Sequence, residues 1–114
     1  MTEKIHCMTL AAEPFAAVQS GRKTVELRLF DEKRKQLREG DGILFSEVGT
    51  GETMRVTVTA LRRFPDFASL YACYDKAAMG YREDETADPA DMLRYYSAEQ
   101  IRACGVLAIE IRCI

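Results

Sequence analysis

The chain has 114 residues, 47% of them apolar and 30% charged, which is enough for one core and too few for two ordinary domains. Its 18 acidic residues outnumber 16 Lys and Arg, giving a net charge of −2 and a pI near 5.5. That balance excludes a protein that grips extended duplex DNA through many phosphates. With no run of about 18 apolar residues, and no signal-peptide pattern in Met1-Thr2-Glu3-Lys4, neither a membrane span nor secretion is expected, and the cytosol is the default compartment.

The first expected element is a short strand in which Ile5, Cys7 and Thr9 alternate with His6, Met8 and Leu10. Glu13-Pro14 then starts a helix of about two turns, with proline at its first position, Phe15 and Val18 on one face and Ser20-Gly21 at its end. From Thr24 to Phe30 the period changes to two. Val25, Leu27 and Leu29 fall on one side, Thr24, Glu26, Arg28 and Phe30 on the other.

The charged stretch from Asp31 to Arg38 reads as a solvated turn or loop, and Glu39-Gly40-Asp41-Gly42 as the turn that launches a strand over Ile43 to Phe45. Gly49-Thr50-Gly51 joins this strand to another from Met54 to Arg63, as a hairpin. Pro65-Asp66 opens a helix whose stripe is Phe67, Leu70, Tyr71 and Tyr74. An acidic loop over residues 80–91 follows, either a lid or a solvated connector. Within it Asp88-Pro89 starts a further helix toward Met92, Tyr95 and Tyr96. Ser97 and Gln100 form a capping box for one more short helix, Gly105 stops it, and Val106 to Ile114 is the last strand. The sum is a single α+β domain over residues 1–114, a small mixed sheet of about five strands closing into a barrel with short flanking helices.

The four cysteines, Cys7, Cys73, Cys104 and Cys113, contain no CxxC pair, so neither zinc nor another metal or cofactor is expected. Cys7 and Cys113 lie in the first and last strands, and a disulfide between them requires those strands to be neighbours. His6, the only histidine, reads as structural rather than as a catalytic base.

The densest chemistry lies in Gly21-Arg22-Lys23-Thr24-Val25-Glu26-Leu27-Arg28. Alternation puts Glu26 and Arg28 on one face, opposite the apolar set, so they point into water or into a cleft. A carboxylate between two cations is held ionised and orders their donors, which suits a ligand offering phosphate or carbonyl oxygens beside an amino group. The alternative is a solvated strand with surface ion pairs worth about 0 to 1 kcal/mol.

The Gly-x-Lys-x-x-Glu-x-Arg pattern of Gly21, Lys23, Glu26 and Arg28 resembles the defining motif of ASCH domains in the PUA-like superfamily, and Gly40-Asp41 resembles that family's Gly-Asp before a strand. The resemblance implies a PUA-like barrel whose cleft is lined by Lys23, Glu26 and Arg28, with RNA or a nucleotide as ligand; Thr24, inside the same motif, is a further candidate, and of Tyr95 and Tyr96, adjacent on a helix end, at most one faces the core, leaving the other as a stacking surface. It also implies alternatives. One branch of small ASCH proteins is an amidohydrolase acting on acetylcytidine, with a threonine nucleophile three residues after the lysine, where this chain has Glu26. A second is proposed to cleave RNA without metal, a role in which Lys23 and Glu26 would share acid and base work. A protein-interaction module is the remaining class, and it would use an apolar patch instead of the charged residues.

Overall fold

The structure is a computed structural model and describes residues 3–114, so Met1 and Thr2, part of the N-terminal reading above, lie outside the described residues. Five strands, β1 (Ile5–Leu10), β2 (Val25–Leu29), β3 (Gly42–Glu47), β4 (Thr53–Phe64) and β5 (Val106–Cys113), form one sheet in the order β1-β3-β4-β5-β2. Only β1 and β3 run parallel; the other neighbours are antiparallel. The sheet curls into a half-barrel with short helices, the expected α+β, PUA-like architecture.

Alternation along the strands gives the sheet two apolar faces, because both are covered. On one face Ile43, Phe45, Val56, Val58, Leu107 and Ile109 pack with Phe15 and Val18 of α1 (Ala12–Gln19). On the other, Val25, Leu27, Leu29, Val106 and Ala108 pack with Phe67 and Leu70 of α2 (Phe67–Tyr71) and with Met79. Next to them sit Met92 and Tyr96, at the 3-10 helix Pro89–Arg94, and Ile101 of α3 (Ala98–Cys104). Burying a Val, Leu, Ile or Phe side chain contributes about 1.5–3 kcal/mol, so the two cores together carry the fold.

Several local expectations need correction. Pro14 is the third residue of α1, not the first. Any first-turn N–H lacks an intrahelical partner, so a residue without one is tolerated there too. Tyr74 lies beyond the end of α2, although it still packs on the second core and its hydroxyl donates to Glu110 Oε2 at 2.8 Å. The 31–38 segment is not merely solvated, since it contains a 3-10 turn at Arg34–Gln36 and buries Leu37. Cys7 and Cys113 do not face each other, because β3 and β4 separate β1 from β5, and all four cysteines are free. No helix among the described residues is long and apolar enough to cross a membrane.

His6 is tied into the framework. Its Nε2 lies 2.9 Å from Asp41 Oδ2, and Asp41 also accepts from the Lys4 and Arg38 amides at 3.2 and 3.1 Å. Burial works to raise the Asp41 carboxyl, but the His6 and main-chain hydrogen bonds outweigh it and hold the group below its ordinary value. The Gly40-Asp41 pair therefore fastens the start of β1 to the turn before β3.

Candidate functional site

In β2 the side chains of Glu26 and Arg28 turn away from the Val25, Leu27, Leu29 face, and register sets them opposite Ile109 and Leu107 of the first core. Their face is thus an open end of that core rather than bulk water. Glu26 is 4% exposed, and Lys23, just before the strand, is 8% exposed. Lys23 Nζ lies 3.2 Å from Glu26 Oε1 and also donates to the Met79 carbonyl at 3.2 Å. Arg28 Nε donates to Glu26 Oε2 at 2.6 Å, and its Nη2 reaches both that oxygen and the Thr9 carbonyl of β1 at 2.9 Å. Arg28 therefore bridges the two ends of the sheet order, β1 and β2, across the opening of the half-barrel.

Desolvation by itself would push the Glu26 carboxyl up. The adjacent Lys23 and Arg28 charges, with their hydrogen bonds, more than offset it and keep the group below its ordinary value. A carboxylate held ionised at neutral pH, with both oxygens engaged, is a poor proton carrier there. The three residues leave one positive charge in excess, two cations against one carboxylate, in a nearly dry setting. That is an anchor for an anion or a strong acceptor.

This trio opens onto a cleft of about 550 Å³ whose walls come from several parts of the chain. The seam contributes Thr9, Leu10 and Leu27; the start of α1 contributes Glu13 and Pro14; Arg22 stands beside Lys23; and the 79–96 segment supplies Met79, Gly80, Tyr81, Arg82, Asp91, Tyr95 and Tyr96. Tyr71 of α2 completes the wall. Its hydroxyl is 2.9 Å from that of Tyr81, which in turn donates to Asp91 Oδ2 at 2.7 Å. Burial, and then the hydrogen bonds with Tyr71 and Asp91, raise the Tyr81 hydroxyl far above its ordinary value, so it stays a neutral donor.

The 80–91 segment is held by specific bonds rather than left as a loose connector. Arg22 Nη1 donates to the Gly80 and Tyr81 carbonyls at 3.1 and 2.9 Å, Arg82 pairs with Glu13, and Lys76 Nζ reaches the Glu83 and Glu85 carbonyls. Gly80 has φ +102°, and a Cβ there would stand 2.9 Å from Lys23 Cδ. Gly80→Ala is accordingly expected to cost about 1–3 kcal/mol and to dislodge the Lys23 stem, visible as a lower melting temperature with perturbed Lys23 and Glu26 NMR signals. An unchanged melt would refute this role for the glycine.

The sequence-expected residues divide. Lys23, Glu26, Arg28, Tyr95 and Tyr96 line the cleft; Thr24 does not. Thr24 is exposed, its amide bonds the Ala78 carbonyl at 2.9 Å, and it lines a separate small depression with Ile111 and Arg112. Its hydroxyl is not placed to attack a molecule held by the trio. Tyr96 stacks on Phe67, with centroids 6.1 Å apart and planes at 13°, whereas Tyr95 is 62% exposed at the rim. Arg22, Tyr71, Gly80, Tyr81 and Asp91 escaped sequence reasoning. The one available signal was the polar, tyrosine-bearing segment after Gly80. No cluster of His, Cys, Asp and Glu able to hold a metal occurs among the described residues.

The ASCH domain family profile matches residues 8–114. Among solved structures the chain is similar to hypothetical protein PH0355, at 27% identity over 96% of this chain and 99% of that one, with a TM-score of 0.82. It is likewise similar to protein PF0455 from Pyrococcus furiosus, also 27% identical, covering 96% and 97% of the two chains with a TM-score of 0.67. The ASCH protein from Zymomonas mobilis shares the fold at 17% identity and a TM-score of 0.68, over 96% of this chain and 67% of that one. No curated protein matches the sequence.

Proposed function

Because the chain belongs to the ASCH domain family, a family generally associated with RNA binding, we propose that it binds single-stranded RNA or a nucleotide in the cleft built on Lys23, Glu26 and Arg28. The observation that carries this reading is the buried trio with one positive charge in excess, opening onto a volume large enough for a nucleotide and bordered by tyrosines. Lys23 and Arg28 would take a phosphate or carbonyl oxygen, Glu26 would keep their donors aimed, and Tyr95 offers an exposed ring on which a base can stack. The net charge of −2 fits a ligand gripped locally rather than a long duplex. Hydrolysis of an acylated nucleoside is less well supported, because Glu26 is tied up by both cations and Thr24 lies outside the cleft.

Amide NMR titration with nucleoside monophosphates and a short single-stranded RNA is the direct test. Shifts are expected to centre on residues 21–28, the segment after Gly80 and Tyr95. Lys23→Met is expected to weaken binding about 10- to 100-fold, since a charged hydrogen bond contributes about 1.5–3 kcal/mol. Undiminished affinity in that variant, or no shifts in the wild type, would overturn the proposal.

A further inference from the structure

The main chain of β2 carries a feature that its side chains do not reveal. Ile111 N–H donates to the Thr24 carbonyl and Phe30 N–H to the Gly105 carbonyl, so the even-numbered residues of β2 spend their main-chain groups on β5. In an antiparallel pair the intervening residues then direct both N–H and C=O to the opposite edge. Val25 bears this out, because its N–H turns away from β5 to the Ala78 carbonyl at 3.0 Å. Leu27 has the same parity. Its side chain is packed in the second core, and the residue lines the cleft, toward which the parity of β2 directs its peptide groups. Outside the strand ladders, neither meets a hydrogen-bond partner among the described residues. Peptide groups without a partner on a residue only 7% exposed are unusual, as nearly all buried peptide groups are satisfied.

We infer that the Leu27 N–H and C=O read the hydrogen-bonding edge of a planar heterocycle, a ring with a donor adjacent to an acceptor, as in a nucleobase. This rests on the nucleotide reading and makes it specific: the cations hold the charged or carbonyl end, and one residue of strand edge pairs with the base. A peptide strand added to the same edge is a poorer occupant. Val25 N–H is already engaged and Leu29, the other residue of this parity, does not line the cleft, so an added strand would meet one residue there, whereas a base edge requires one donor and one acceptor. Recognition through the peptide unit also explains how an apolar residue can sit between Glu26 and Arg28 in the middle of a binding motif.

The experiment compares uridine 5′-monophosphate, its 3-methyl derivative and ribose 5-phosphate by amide NMR titration of the intact protein, with a four-nucleotide single-stranded RNA alongside. Uridine 5′-monophosphate is expected to move the Leu27 amide proton downfield and slow its exchange with solvent. The 3-methyl compound, which keeps charge and ring but lacks the ring N–H, is expected to bind at least about tenfold more weakly. Ribose 5-phosphate is expected to shift the Lys23 and Arg28 signals and leave the Leu27 amide in place. Affinities of methylated and unmethylated nucleotides within about twofold of each other, or a still Leu27 amide while Lys23 and Arg28 respond, would overturn the Leu27 assignment and leave nucleotide binding standing. No response to any nucleotide or to the RNA would overturn both.

Discussion

Glu26→Gln is expected to lower stability by about 3 kcal/mol, roughly 10 °C or more in melting temperature for a domain of this size. The substitution keeps the side-chain shape but removes the only carboxylate among the described residues that contacts Lys23 and Arg28, leaving two like charges side by side where little water reaches them. Breaking a buried ion pair costs more than the pair contributes, because the surviving charges remain desolvated. Thermal melts by circular dichroism between pH 3 and 7 separate this from simple loss of a hydrogen bond. The Glu26 carboxyl is held below its ordinary value of 4.5, so above pH 4.5 its contribution is fully present. Below it the unfolded chain takes up a proton that the folded chain refuses, and stability falls as pH drops toward the depressed value. The variant should therefore show a shallower acid limb than the wild type, with the remaining slope coming in part from Asp41, whose carboxyl is also depressed. A melting temperature within about 2 °C of wild type at pH 7 would mean that the trio is not a coupled unit.

Arg28→Lys is expected to fail in spite of conserving charge. The guanidinium uses Nε and Nη2 on Glu26 while Nη2 also reaches the Thr9 carbonyl, a fork that spans the seam between β2 and β1. An ammonium is a point donor and can serve one of these partners well but not both. The expected result is a loss of about 1–3 kcal/mol in stability and a nucleotide affinity weakened about tenfold, with the Thr9 and Leu10 amide signals shifted. A lysine variant that binds and melts like the wild type would show that only the charge matters at this position.

Much of the secondary structure was legible because its causes are local. The Ser97 and Gln100 capping box is present in both directions, Asp66 caps α2 through Ser69, and Gly105 adopts φ +71° at the end of α3. Period-two alternation located β2, β4 and β5, since each face of a strand has one environment. It also left a choice open. With Val25, Leu27 and Leu29 assigned to a core, the opposite side of β2 read as water or cleft; Glu26 and Arg28 line the cleft, and the same side carries the first core a few residues away. Alternation identifies two faces and is silent on what covers the second.

By itself the sequence determined that Lys23, Glu26 and Arg28 stand close together at a helix-to-strand junction, because a spacing of two or three residues cannot separate them far. It also determined where the chain turns, through glycine and the capping residues. Only the tertiary structure decided that the trio is nearly dry, that Thr24 points elsewhere, and that Tyr71, Tyr81 and Asp91 form a relay on the cleft wall. The first two depend on contacts between segments far apart in the chain, as between Lys23 and Met79 or Thr24 and Ala78, and the third on how the 71–91 segment folds back on itself. The order β1-β3-β4-β5-β2 leaves β1 and β2 at the two ends of the sheet, and the curl of the half-barrel brings Arg28 to Thr9. No local pattern encodes that approach, because it arises from which strands find partners and which edges are left without one.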